Sequence, residues 1–195
     1  LYTNVNGAKN VAVGSGALLT MNPASGTDTY NVGVGYDAGG LITTGINNTL
    51  IGGLAGDAMT TADSNTAVGA YAMTSVTTGG DNVAVGTSAL DVTTTGNLNT
   101  AVGRNALGAN TTGAGNIAVG YNAMVNNTTA GYNTAVGYGA LNSTTAVQCV
   151  AVGAGALDSH TTGGYETAFG YNALTASTTG TNNVGVGNTA SGAVT

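Results

Sequence analysis

Apolar and polar positions in this chain follow a pattern that returns every 17 residues. Residues 99–107 read N-T-A-V-G-R-N-A-L, residues 116–124 read N-I-A-V-G-Y-N-A-M, and residues 133–141 read N-T-A-V-G-Y-G-A-L. With the glycine that closes each A-V-G as a marker, the units fall at Gly14, Gly35, Gly52, Gly69, Gly86, Gly103, Gly120, Gly137, Gly153, Gly170 and Gly187. Every step is 17 except the 21 from Gly14 to Gly35 and the 16 from Gly137 to Gly153. The insertion lies around N-P-A-S-G-T-D, which holds the only proline, Pro23, and the deletion precedes Cys149.

Within T-A-V-G the pattern has a period of two, so residues one and three share one face of an extended segment and residues two and four share the other. Positions one and three are β-branched, as in Thr66/Val68, Val83/Val85, Thr100/Val102 and Ile117/Val119, which strands favour. Positions two and four are Ala and Gly, a flat face open to a second backbone. A second short extended piece, N-A-L, follows the glycine bend, and a T-T-G loop returns the chain. Seventeen residues are too few for a pair of packed helices, since helical repeats need ~33 to 47. Two short strands and two turns describe one coil of an all-β parallel solenoid, or β-roll, of eleven coils. With a rise of ~4.8 Å per coil the rod is roughly 50 Å long.

The columns follow from stacking like on like. Asn leads nine units, among them Asn82, Asn99, Asn116 and Asn133, with Cys149 and Glu166 as exceptions. Stacked Asn can bond from coil to coil and tolerates the left-handed conformation of a corner. The marker glycines, Gly69, Gly86, Gly103, Gly120 and Gly137 among them, supply a positive φ or room at the bend. The Ala three residues later, as in Ala72, Ala89, Ala106, Ala123 and Ala140, is present in all eleven units and must face something close. The threonine pairs Thr43/Thr44, Thr77/Thr78, Thr111/Thr112, Thr161/Thr162 and Thr178/Thr179 suit bonding to local backbone. Leu1 falls in the Leu column, so the chain reads from 1 to 195 as a single repeat array, a segment of a longer one. So thin a coil leaves at least two faces of β-branched and Leu side chains uncovered. Parallel self-association, with three rods around a common axis, side by side or intertwined, would cover them.

N-T-A-V-G-Y-N-A-L followed by T-T-G resembles the repeats of phage tail fibres and related trimeric fibre proteins that precede an endosialidase-type chaperone. N-V-A-V-G at Asn82 to Gly86 and N-I-A-V-G at Asn116 to Gly120 resemble the head repeat of YadA-type trimeric autotransporter adhesins, whose coil is shorter. The resemblance covers essentially the whole chain. It implies a left-handed parallel β-roll, a homotrimer, and an extracellular setting on a virion tail fibre or a bacterial cell surface. The function it implies is a shaft or head segment that mediates or presents attachment to a host surface, with a glycan or protein as receptor.

Composition narrows the chemistry. Charged residues are 5% of the chain, and the only basic ones are Lys9 and Arg104, too few to displace counterions from nucleic acid. No apolar run approaches the ~20 residues of a membrane span. A single cysteine excludes an intrachain disulfide framework. The eight acids do not all share one column, so no calcium ladder is expected, and one His with one Cys does not make a metal site. No cofactor and no enzymatic activity are expected. D-S-H at 158–160 lacks the converging geometry of a catalytic triad, and His160 is expected in a solvated loop. G-x-G patterns such as Gly14-Ser15-Gly16 read as turns. The candidate ligand-binding residues are Tyr36, Tyr121, Tyr138 and Tyr171, each directly after a marker glycine, and Arg104 in the same column. Such tyrosines either cap a strand edge or subunit seam or stack on sugar rings. The alternative function is ice binding through the threonine columns, although each T-T pair is consecutive rather than on one face.

Overall fold

The computed structural model describes residues 8–24 and 26–190, so the expectation for Leu1 lies outside the described residues. Eleven three-residue strands, from Val11–Val13 to Val184–Val186, form one parallel sheet in which each pairs only with its sequence neighbours. The register never slips: Thr100 sits opposite Val83 and Ile117, Ala101 opposite Ala84 and Ala118, and Val102 opposite Val85 and Val119. The 21-residue step is absorbed outside the sheet, since Val11 still pairs with Val32. The shortened coil likewise keeps Thr134 opposite Val150. This is the expected all-β parallel solenoid.

The marker glycines have φ between 125° and 142°. Their neighbours make them obligatory: a Cβ on Gly86 would stand 2.7 Å from the carbonyl oxygen of Gly103, a distance no side chain tolerates. Each marker glycine through Gly170 meets the next in this way.

Two expectations about local shape are corrected. N-A-L is not extended. Of the residues described, only the three-residue segments of the T-A-V type form strands, and N-A-L lies in a turn. Two residues of that turn are left-handed, for example Asn105 (φ 57°) and Leu107 (φ 51°). The first sends its N–H to the preceding coil (Asn105 to the Thr87 carbonyl, 3.1 Å), and the second to the following coil (Leu107 to the Ala123 carbonyl, 3.0 Å). The left-handed conformation costs a branched side chain ~1–2 kcal/mol. Burial of the Leu side chain, worth ~1.5–3 kcal/mol, offsets that cost. The leading Asn is also not left-handed. The residue before it is, as at Asn47, Ser64, Asp81 and Tyr132.

The Leu face is not uncovered either. Leu18, Met73, Leu90, Leu107, Met124, Leu141 and Leu157 are fully buried inside the coils. They pack with the Ala columns, whose members Ala72, Ala89, Ala106, Ala123 and Ala140 are also fully buried. The Ala of each T-A-V points into this same interior, as Ala67, Ala84 and Ala101 do. The thinness of the rod is thus met by filling it with Ala, Leu and Met.

One coil departs from this formula and compensates within the chain. Leu50 occupies the strand position that is usually Ala, and the two flanking Leu positions are Gly39 and Gly56. A Cβ on Gly39 would lie 2.7 Å from Leu50 Cδ1, and one on Gly56 would lie 2.8 Å from Leu50 Cδ2. One large side chain therefore fills the space that two Leu side chains fill elsewhere. Leu50→Ala is expected to cost about 2–5 kcal/mol in chemical denaturation. Adding Gly56→Leu to that variant restores the common arrangement and should recover most of the loss.

Candidate functional site

Three parts of the rod bear side chains that could act, and the Asn ladder positions them all. Asn48, Asn65, Asn82, Asn99 and Asn116 are fully buried. Asn82 Oδ1 accepts the backbone N–H of Asn99 at 3.0 Å and its side-chain N–H at 3.2 Å. Asn82 Nδ2 donates to the Gly96 carbonyl at 2.9 Å, closing the far corner of the coil. The same bonds recur from Asn31. The ladder ends where Cys149 donates its N–H to Asn133 Oδ1 at 2.9 Å and offers no carboxamide to the next coil. Burial pushes the Cys149 thiol above its ordinary range. The corner threonines also bond from coil to coil, with the donation running opposite to that between the asparagines. Thr43, Thr77, Thr94 and Thr111 donate their hydroxyls to the carbonyls of Thr60, Thr94, Thr111 and Thr128, one coil on, rather than to their own turn.

The first candidate is the outward face of the sheet. Its third column runs from Val13 to Val186 and is apolar in every coil, with only Ile51 and Phe169 replacing Val. Its first column is Val, Thr or Ile throughout. These side chains remain partly solvated, as at Val85 (37%), Val136 (36%) and Phe169 (42%).

The second is the column after the marker glycine. Tyr36, Tyr121, Tyr138 and Tyr171 are all exposed, and so is Arg104, one coil before Tyr121. Tyr121 and Tyr138 stack, with ring centroids 5.4 Å apart and planes inclined by 8°. The Asp37 carboxylate beside Tyr36 holds that phenol above its ordinary range.

The third lies inside and went unseen in the sequence. Seven residues after each marker glycine from Gly14 to Gly170 comes a buried position. It is Met21, Ile42, Met59 and Val76 in four early coils, then Thr93, Asn110, Asn127, Thr144, His160 and Ser177. This one column thus turns from apolar to polar midway along the rod. Asn127 Nδ2 donates to Asn110 Oδ1 at 3.3 Å, and Asn110 Nδ2 to Thr93 Oγ1 at 3.3 Å. The spacing from the marker glycine puts His160 in this column, whereas its local neighbour Ser159 is exposed.

His160 is therefore not in a solvated loop. It is fully buried, as is Glu166, and its Nδ1 lies 3.2 Å from the Ser177 carbonyl and 3.5 Å from Glu166 Oε2. Glu166 stands in the Asn column and accepts from Ser177 Oγ at 3.0 Å and Asn183 Nδ2 at 2.7 Å. Its Oε2 and His160 Nε2 have no hydrogen-bond partner among the described residues. Asp158 and Ser159 are not drawn into this cluster, so no triad forms. Among the described residues no three His, Cys, Asp or Glu side chains could hold a metal ion, and no helix is long and apolar enough to cross a membrane. No family model, curated protein or solved structure matches the chain.

Two stability measurements check these assignments. His160→Ala empties the site of a buried ring and is expected to cost about 3–5 kcal/mol. The double change His160→Asn/Glu166→Asn should cost much less, because it installs in both positions the residue that stands there in other coils, as at Asn110 and Asn127 and at Asn82 and Asn99. Asp57 tests the surface. Burial pushes its carboxyl up, aided by the Asp37 and Asp91 charges and opposed by the backbone N–H groups of Asp57 and Ala58. The fold thus favours the protonated acid, so stability falls as pH rises through the carboxylate range. Asp57→Asn should raise the melting temperature near pH 7 and leave it unchanged near pH 3, where about all of the native acid is protonated.

Proposed function

We propose that this chain is a rigid structural segment, shaft or head, of a trimeric extracellular fibre that presents or mediates attachment to a cell surface. The observation that carries the reading is the outward sheet face. Two columns run across all eleven strands, the third position apolar in every coil and the first Val, Thr or Ile, and the rod's own interior is already filled without them. A continuous apolar face of this kind marks an interaction site. Because every coil repeats this pairing of Val, Thr or Ile with Val, Ile or Phe, the complementary surface is another copy of the same face in parallel register.

Three copies follow from the resemblance to tail-fibre and adhesin-head repeats. The columns through Thr100 and Val102 then form the seam about the common axis. The tyrosine column stays outside the seam, where it can meet a receptor, and three copies of each weak contact add avidity. The role is scaffolding and presentation rather than catalysis, and its setting is a virion or a bacterial surface.

Ice binding receives less support. It would use the threonine pairs, and the first hydroxyl of the pair is committed to the next coil's carbonyl at Thr43, Thr77 and Thr111.

The mass in solution tests the reading. Light scattering should give three times the chain mass, and electron microscopy a thin rod. Val85→Lys/Val136→Lys places charges on the outward face of two strands without touching the interior, and should yield a folded monomer by circular dichroism. A wild-type chain that is monomeric at micromolar concentration would overturn the proposal.

A further inference from the structure

The tyrosine column has a gap. Its members in four successive coils are Tyr121, Tyr138, Ala154 and Tyr171. Tyr121 and Tyr138 stand in neighbouring coils and stack on each other. Tyr138 and Tyr171 are two coils apart, ~9.6 Å at the strand spacing, with only the Ala154 methyl between them. A cavity of about 340 Å³ opens at this place.

The residues around the gap make it a built site rather than a missing ring. The position after the tyrosine is Asn122 and Asn172 in the outer two coils but Gly139 and Gly155 in the inner two. The floor is therefore bare backbone plus one methyl. Gly155 also leaves the room that the Asn172 carboxamide occupies. On the far rim stand Asn142 and Asp158, both partly exposed and both lining the cavity.

We propose that this notch binds one neutral sugar ring of a glycan, held between the faces of Tyr138 and Tyr171. A flat group centred in the gap lies ~4.8 Å from each ring, within the ~4.5–7 Å of aromatic stacking contacts. A pyranose has two such faces, formed by its C–H groups, and carries hydroxyls around its edge. The rim supplies what the edge requires: carboxamides that donate and accept, and a carboxylate that accepts two bonds. An anionic sugar is disfavoured by Asp158 and by the chain's net charge of −6. Concavity with ring walls and a few polar groups is the usual form of a small-ligand site, and the volume lies in its ~300–1,000 Å³ range. The inference names a ligand class for the outward tyrosines. It does not depend on how many rods associate, because all of its lining comes from one chain.

Saturation-transfer NMR on the whole chain tests it, using the methyl glycosides of glucose, galactose and N-acetylglucosamine as probes and indole as the competing flat ring. At least one glycoside should bind with a Kd of about 1 mM, the scale its size permits. Tyr138→Ala and Tyr171→Ala should each weaken it about tenfold. Tyr71→Ala, on an exposed tyrosine outside the notch, should leave it unchanged. Ala154→Tyr is the sharpest variant. It completes the aromatic stack, should fold as well as the wild type by circular dichroism, and should abolish binding by filling the gap. No transfer to any glycoside, transfer that survives Ala154→Tyr, or binding of indole alone would each overturn the proposal. A monomeric mass with the notch binding intact would refute only the trimeric fibre.

Discussion

Coil-to-coil hydrogen bonding is the constraint on which the rest of this molecule depends. The backbone supplies it at every strand, with N···O distances of 2.8 Å at Val32, Thr49, Thr66, Val83 and Thr100. The Asn carboxamide then repeats it inside the coil, where an unpaired polar group would be expensive. Once those bonds hold the coils in register, each side chain lies one strand spacing from its counterparts above and below. Every column must therefore accept itself as a neighbour. Gly fits beneath the carbonyl of the next Gly, Asn completes the bonds of the next Asn, and Ala and Leu share the interior. The near absence of charge has the same origin, because a column of like charges at this spacing would repel itself.

Period and strand position were legible in the sequence because both follow from spacing alone. The A-V-G segments and the Asn ladder lie where the period puts them. The conformation of N-A-L was not legible. Leu107 and Leu141 are poor candidates for the left-handed region by intrinsic preference, and only a buried pocket in the neighbouring coil offsets their cost. Nor was the fate of His160 legible from its local context, D-S-H, which is polar on every side. Its burial is a property of its column, seven residues past the marker, where Ile42 and Val76 stand elsewhere. For a repeat protein the informative neighbours of a residue are those 17 positions away.

The rod is regular in backbone and graded in content. Met21, Ile42, Met59 and Val76 give way to Thr93, Asn110 and Asn127, then to His160 and Ser177, without a change in strand register. A coil can exchange apolar filling for a hydrogen-bonded file because the Asn ladder and the backbone hold the frame independently of that one column. The tyrosine column shows the same freedom outside, where an Ala and two glycines in neighbouring coils turn a stack of rings into a notch.

The compensated coil around Leu50 has a consequence for how the rod could change length. Most coils make the same bonds on both sides, so one could be lost or duplicated as a block of 17 residues and the new neighbours would meet as the old ones did. Leu50 cannot be handled this way. Its side chain occupies room vacated in its own coil by Gly56 and in the preceding one by Gly39. Deleting its coil would leave Gly39 facing a void, and copying that coil elsewhere would drive Leu50 into a resident leucine. The rod is thus built of interchangeable pieces with one indivisible pair, and recombination between repeats would be tolerated along the rod except across that pair.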